Sequence, residues 1–119
     1  MVVARVAAGI LTALLGVLPT TVAAQARGAE VTQQYQQFAE VQDFASLVDL
    51  WTANRDLILR TIDGDLEGSL SMREKAVEAG EEPDEEAIAA LHARALFGAA
   101  AAGEATGQSI FLDYAAAFV

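Results

Sequence analysis

The chain of 119 residues is short, acidic and free of cysteine, with a net charge of −10 at pH 7. Without cysteine it has no disulfide framework and no thiolate metal site, so a secreted form must fold on its apolar core alone. The negative charge disfavours nucleic acids and anionic lipid surfaces, which would repel it. The charge is compatible with a cation or a basic protein as partner, or it serves solubility alone.

The first 26 residues have the order of a secretory signal. Arg5 is their only charge, an apolar run of about 13 residues follows it, and small residues precede cleavage points after Ala24 or Ala26. The apolar run is shorter than the ~20 residues that span a bilayer. We expect residues 1–26 to be a cleaved signal peptide and residues 27–119 to be a single helical domain, periplasmic or secreted, without stable membrane insertion. An uncleaved membrane anchor is the alternative.

The first part of the mature chain shows apolar residues at helical spacing. Residues 30–41 are polar, with bulky apolar residues only at steps of three, which predicts a surface helix. Residues 44–62 predict a strongly amphipathic helix capped by Asp43, although Arg55 interrupts its apolar stripe. The pattern leaves open whether residues 30–62 form one helix or two.

Glycines and capping signals divide the middle of the chain. Gly64 and Gly68 are expected to break the helical pattern. Ser71 and Glu74 have the spacing of a capping box, which predicts the start of a short helix there. Gly80 is expected to end that helix.

The last third predicts two further helices. An alanine-dense helix is expected over residues 84–102, a turn over 103–107 and a final helix over 108–119. No convincing strand pattern is present. The predicted fold is therefore all-α, a small bundle of four to five helices. Because residues 43–79 and 84–119 align weakly at an offset of roughly 41 residues, two stacked helical hairpins in a helical-repeat-like arrangement are the alternative.

Known signatures of catalysis are missing from the sequence. His92 is the single histidine, and its neighbours one turn away carry no ligand group, so it is predicted to be a packing residue. Trp51 lies on the apolar stripe and is predicted to belong to the core. The sequence contains neither a Gly-x-Ser-x-Gly elbow nor a glycine loop that could bind phosphate. We therefore predict no catalytic residue, no cofactor site and no enzyme.

One stretch, DGDLEGSLSMRE at residues 63–74, places side-chain oxygens at alternate positions and Gly68 at the sixth. It resembles the twelve-residue calcium loop of the EF-hand family, in which oxygens at this spacing surround a hard cation and the glycine allows a sharp turn. The resemblance implies a calcium site between two helices. Its ligands would be Asp63, Asp65, Glu67, Ser69, Ser71 and Glu74.

Two interpretations of function follow from the sequence. The leading one is a non-enzymatic domain that binds another protein or is associated with the cell envelope. The alternative is a calcium-binding domain with one EF-hand-like loop. The stretch departs from the family at Leu66, where a small or polar residue is preferred, and at Lys75, where the exit helix normally packs an apolar residue. No second loop is found, which favours the first interpretation.

Overall fold

The computed structural model describes residues 18–119, with side chains from residue 22 onward. The chain divides into two units, Met1–Glu30 and Val31–Val119. In the first unit the described residues are helical and largely exposed. Most of the predicted signal segment lies outside the described residues, and its cleavage stays a prediction. Within residues 18–119, no helix has the length and hydropathy that a membrane-spanning segment requires.

Five helices and no strand are formed by the described residues, which confirms the predicted all-α bundle. The helices are joined by short connections, one of which contains a 3-10 turn at Arg55–Leu57. They are α1 (Leu18–Glu40), α2 (Phe44–Ala53), α3 (Ile58–Glu78), α4 (Glu85–Thr106) and α5 (Ile110–Ala116).

Two helices begin at aspartate N-caps, Asp43, which is a predicted cap, and Asp84, where the sequence predicts the start of the alanine-dense helix. The Asp43 carboxylate accepts a hydrogen bond from the Ser46 backbone N–H at 3.2 Å, at the start of α2. Asp84 accepts in the same way from the Ala87 N–H at 3.1 Å, at the start of α4. Each contact satisfies a donor that has no partner inside the helix. The predicted starts of these two helices are confirmed.

The ends of α1 and α3 share a left-handed residue followed by hydrogen bonds back to the last turn. After α3 this residue is Gly80, with φ of +71°, as predicted. After α1 it is Gln42, with φ of +57°. The Gln42 N–H donates to the Ala39 carbonyl at 3.2 Å, and the Asp43 N–H donates to the Phe38 carbonyl at 2.8 Å. A non-glycine residue in this conformation costs about 1 kcal/mol.

The predicted break at Gly64 and Gly68 is wrong. Both glycines lie inside α3, which runs without interruption to Glu78, so Ser71 is in the middle of a helix and caps nothing. A glycine in a helix costs about 1 kcal/mol relative to alanine. Burial of one large apolar side chain contributes about 1.5–3 kcal/mol, so the apolar face of α3 outweighs both glycines. That face buries Ile58, Ile62 and Leu66 completely.

The predicted helix over residues 44–62 is also wrong, because it breaks after Ala53. The side-chain amide of Asn54 donates to the Leu50 carbonyl at 3.0 Å and so ends α2. In the 3-10 turn that follows, the Arg55 guanidinium donates to the Ala105 carbonyl at 3.2 Å, in the last turn of α4. The arginine that interrupts the apolar stripe thus marks the break and supplies a cation to a helix C-terminus.

Two other features differ from the sequence-based expectation, the burial of α1 and the end of α4. α1 is not a surface helix throughout, since Val31 and Tyr35 are buried four residues apart. α4 continues through the turn predicted at residues 103–107 and ends at Gly107, whose φ is +74°. Alanine-rich sequence carries the helix past Gly103 because alanine is the strongest helix former.

α4 is the central helix of the unit Val31–Val119 and packs against α2, α3 and α5. Its small side chains allow the neighbouring helices to approach closely. The short helix α2 is followed by the long helix α3, whereas the long helix α4 is followed by the short helix α5. The two pairs of helices are therefore not copies of one hairpin. The core includes Tyr35, Leu47, Trp51, Ile58, Ile62, Leu66, Ala95, Ala99 and Ala115.

Candidate functional site

The six predicted calcium ligands lie along α3 and do not converge. On an α-helix, residues two apart point roughly 200° apart, so alternate positions cannot surround one ion. Asp63 accepts a hydrogen bond from the Tyr114 hydroxyl, whereas Glu67 and Glu74 are exposed. Among residues 18–119, no three His, Cys, Asp or Glu side chains are grouped to hold a metal ion. The predicted loop is wrong, and calcium binding by these residues stays a prediction that requires α3 to unwind.

Asp65 binds a cation, but that cation is the guanidinium of Arg94. The carboxylate is 6% exposed, and its two oxygens accept from Arg94 Nη2 at 2.7 Å and Nε at 2.8 Å. Such a two-point contact between a carboxylate and an arginine is among the stronger hydrogen-bonded pairs in proteins. The pair joins α3 to α4 and compensates the charge that α3 buries.

Tyr35 of α1 completes this group. Its hydroxyl donates to Asp65 Oδ2 at 2.7 Å and lies 2.9 Å from the Arg94 carbonyl oxygen. Burial of the ring, followed by the negative charge of Asp65, raises the pKa of Tyr35 well above its usual value. The neutral phenol is therefore the form that the folded protein holds.

The Tyr35 ring fits because Gly98 has no side chain. A Cβ at Gly98 would lie 2.6 Å from a ring carbon of Tyr35. The Trp51 indole N–H donates to the Gly98 carbonyl at 2.9 Å, and the rings of Tyr35 and Trp51 are 5.4 Å apart. One residue of α4 thus receives an aromatic side chain from α1 and another from α2. The prediction that Trp51 belongs to the core is confirmed.

A second polar pair links α3 to α4. The Ser69 hydroxyl donates to the Leu66 carbonyl at 2.7 Å and lies 3.0 Å from His92 Nε2. A hydroxyl has one proton, which Ser69 donates to Leu66. In the contact between Ser69 and His92, the His92 Nε2–H is therefore the donor and the Ser69 oxygen the acceptor. Ser69, predicted as a calcium ligand, and His92, predicted as a packing residue, therefore contact each other across the helix interface.

A groove of about 420 Å³ lies between the end of α1 and the middle of α4. Its apolar lining combines small side chains with the ring of Phe97. The Phe97 ring meets Phe44 edge to face at 5.7 Å, and Phe44 is 39% exposed. The residues that line the groove are Gln36, Ala39, Glu40 and Gln42 on the α1 side and Ala90, Ala93, Arg94 and Phe97 on α4.

The charges around this groove are predominantly negative. Glu40 lines it and is exposed. Glu86 is exposed one turn before Ala90 and shares its helical stripe, so it stands at the N-terminal end of the α4 wall. Arg94 also lines the groove, but Asp65 balances its positive charge. The groove therefore contains one carboxylate, that of Glu40, and the exposed Glu86 lies next to its lining, one turn before Ala90.

Neither the buried group nor the groove is evident from the sequence. A usable sequence signal for the buried group is Arg94, an arginine within an alanine-dense helical stretch. A buried guanidinium requires an acidic partner, and the sequence holds many candidates for it. No local signal marks the groove, because its α1 and α4 residues lie about 50 positions apart.

Comparison of this chain with protein-family models, with curated proteins and with solved structures finds no match.

Proposed function

We propose that the protein is an exported, non-enzymatic protein-interaction domain that receives a segment of its partner in the groove between α1 and α4. The observation that carries this proposal is the groove itself, an open concave surface between two helices with a half-exposed aromatic ring beside it. Apolar and aromatic side chains in a concavity, edged by a few polar groups, are typical of binding sites.

The buried polar side chains have a structural role and do not contact the partner in this proposal. In the described part of the chain, no buried side-chain nitrogen or oxygen lacks a hydrogen-bond partner. Asp65, Arg94 and Tyr35 satisfy one another, and Ser69 is satisfied by Leu66 and His92. We assign these groups to positioning α1, α3 and α4, which holds the walls of the groove in place.

The position of Gln42 adds support. It lines the groove in a left-handed backbone conformation that favours glycine. Non-glycine residues held in strained backbone conformations cluster at functional sites. We assign the Gln42 amide to hydrogen bonding with the partner.

Export rests on the N-terminal pattern of one arginine, an apolar run and small residues. Mass spectrometry of the protein from its native host is expected to find a mature N-terminus at Arg27 or Gln25. An intact Met1 on membrane-bound protein would contradict this part of the proposal.

The interaction is tested by capture from an envelope extract of the host with the tagged full chain. Ala90→Gln should abolish capture, because it places a longer side chain in the groove at an exposed position. Ala89→Gln is the matched control, since Ala89 is exposed about 100° around the same helix and does not line the groove. Capture that is absent, or equal in all three proteins, would refute the proposed function.

A further inference from the structure

We infer that the segment bound in this groove is an amphipathic helix with basic residues on its polar face. This inference rests on the proposed function and adds the chemistry of the partner. Three observations carry it: the nature of the groove walls, the size of the side chains that line them and the sign of the charges at the rim.

The walls favour a helix over an extended peptide. Apart from Gln42, the residues that line the groove belong to α1 or α4, whose backbone donors and acceptors are largely used within the helices. A peptide that binds as an added strand pairs its backbone with a sheet edge, which these walls do not provide. A helix satisfies its own backbone groups and needs only side-chain contacts. The groove therefore suits a helical segment.

The lining allows such a helix to approach closely. Ala39, Ala90 and Ala93 present single methyl groups, so a large apolar side chain of the partner can enter between the walls. Phe97 and the half-exposed Phe44 provide an aromatic surface beside them. Aliphatic residues at helical spacing on the partner match this shape.

The charges select a basic partner. Glu40 lines the groove, and the exposed Glu86 lies one turn before Ala90 on α4. The only cation that lines the groove, Arg94, is paired with Asp65, and the whole chain carries a net charge of −10. Lysine or arginine on the partner would be attracted both over a distance and at the rim. An acidic helix of the same apolar pattern would be repelled.

Two synthetic helical peptides of about 18 residues test the inference. They share one leucine stripe and carry either lysine and arginine or glutamate on the polar face. Calorimetric titration of the full chain is expected to show binding of the basic peptide alone, weakening between about 50 and about 300 mM salt. Backbone amide shifts in NMR should change around Gln36, Gln42 and Ala93. Equal binding of both peptides, or shifts confined to α3 and α5, would overturn the inference.

Substitutions of acidic residues test the contribution of charge to peptide binding without changing the shape of the groove. Replacing both Glu40→Gln and Glu86→Gln should weaken binding of the basic peptide roughly fivefold, since each exposed charge contact is modest. Glu104→Gln removes the same charge from an exposed site in the last turn of α4 and should change the Kd less than twofold. If the double variant binds as tightly as the wild type, the rim charges do not select the partner.

Gln42→Gly distinguishes a binding role from a structural one. Glycine relieves the left-handed backbone, so the melting temperature should rise by a few degrees while peptide binding weakens. If Gln42 had only a structural role, the melting temperature would rise while the Kd for the basic peptide stayed unchanged, and this result would remove Gln42 from the site.

The inference and the proposed function fail in different ways. If a host partner is captured and Ala90→Gln abolishes that capture, but neither peptide binds, the function stands and the inferred chemistry is wrong. If the host partner is captured equally by the wild type and both alanine variants, the groove is not the binding site and both are wrong.

Discussion

Tyr35 places a phenol against a carboxylate in the middle of the bundle, and this contact makes stability sensitive to alkali. Burial and the charge of Asp65 raise the Tyr35 pKa in the folded protein, whereas the unfolded chain titrates near its ordinary value of 10. Above about pH 10 the unfolded chain loses a proton that the folded protein retains. The free energy of unfolding therefore falls with rising pH, by up to about 1.4 kcal/mol per unit.

Tyr35→Phe is expected to remove this dependence. The variant should lose about 1–2 kcal/mol near pH 8, because Asp65 loses a hydrogen-bond donor. Its further loss between about pH 10 and about pH 11 should be roughly 1 kcal/mol smaller than that of the wild type. Urea unfolding at the three pH values measures both effects. The hydrogen bond to Asp63 raises the pKa of Tyr114 as well, so Tyr114→Phe should also reduce the slope. A slope unchanged in Tyr35→Phe would disprove the assignment.

At the scale of the elements, α3 and α4 each contain glycines that look alike in the sequence and do different things. Gly64 has open space where a Cβ would lie, so nothing requires glycine there. Gly98 faces the Tyr35 ring, and a Cβ would lie 2.6 Å from it. The first glycine only weakens its helix, whereas the second allows two helices to meet.

Gly98→Ala and Gly64→Ala should therefore have opposite effects. Each gains about 1 kcal/mol of helix propensity. At Gly98 the overlap with a buried, rigid ring costs about 1–3 kcal/mol, so the net effect is neutral to destabilising. Gly64→Ala should be stabilised by up to about 1 kcal/mol. Denaturant midpoints at equal m-values give the comparison, and a more stable Gly98→Ala protein would show that Tyr35 can move aside.

Helix ends are predictable here where the cause is local. Asp43, Asp84 and Gly80 mark their helix ends because the capping groups act on backbone atoms a few residues away. The continuity of α3 through Gly64 and Gly68 depends on burial of its other face, for which the four-residue spacing of Ile58, Ile62 and Leu66 is a local signal that the glycines obscure. The groove has no local signal, because its two walls meet only in the folded chain.

At the scale of the whole molecule, the last helix closes one side of the core. Ala115 is fully buried, and the rings of Phe111, Tyr114 and Phe118 pack against the core from partly buried positions. Ile110, by contrast, is 64% exposed. The apolar side chains of this last segment are therefore divided between the core and the surface.

Deletion of residues 108–119 should expose buried surface of α4 and destabilise the fold by several kcal/mol, because large apolar contacts are lost. The truncated protein is expected to aggregate or to be digested rapidly by protease. Deletion of Val119 alone, which is 75% exposed, should leave the melting temperature unchanged within error. A soluble truncated protein with unchanged thermal stability would show that α5 is dispensable.

The position of Gly98 late in the chain also sets the timing of folding during synthesis. Tyr35 and Trp51 both complete their packing on this residue, so the first three helices have no finished core until α4 exists. At about 5–20 residues per second, a ribosome needs roughly 5–20 seconds to reach that point. Throughout this interval the nascent chain remains without its native core, and the export proposed above would require such an unfolded chain.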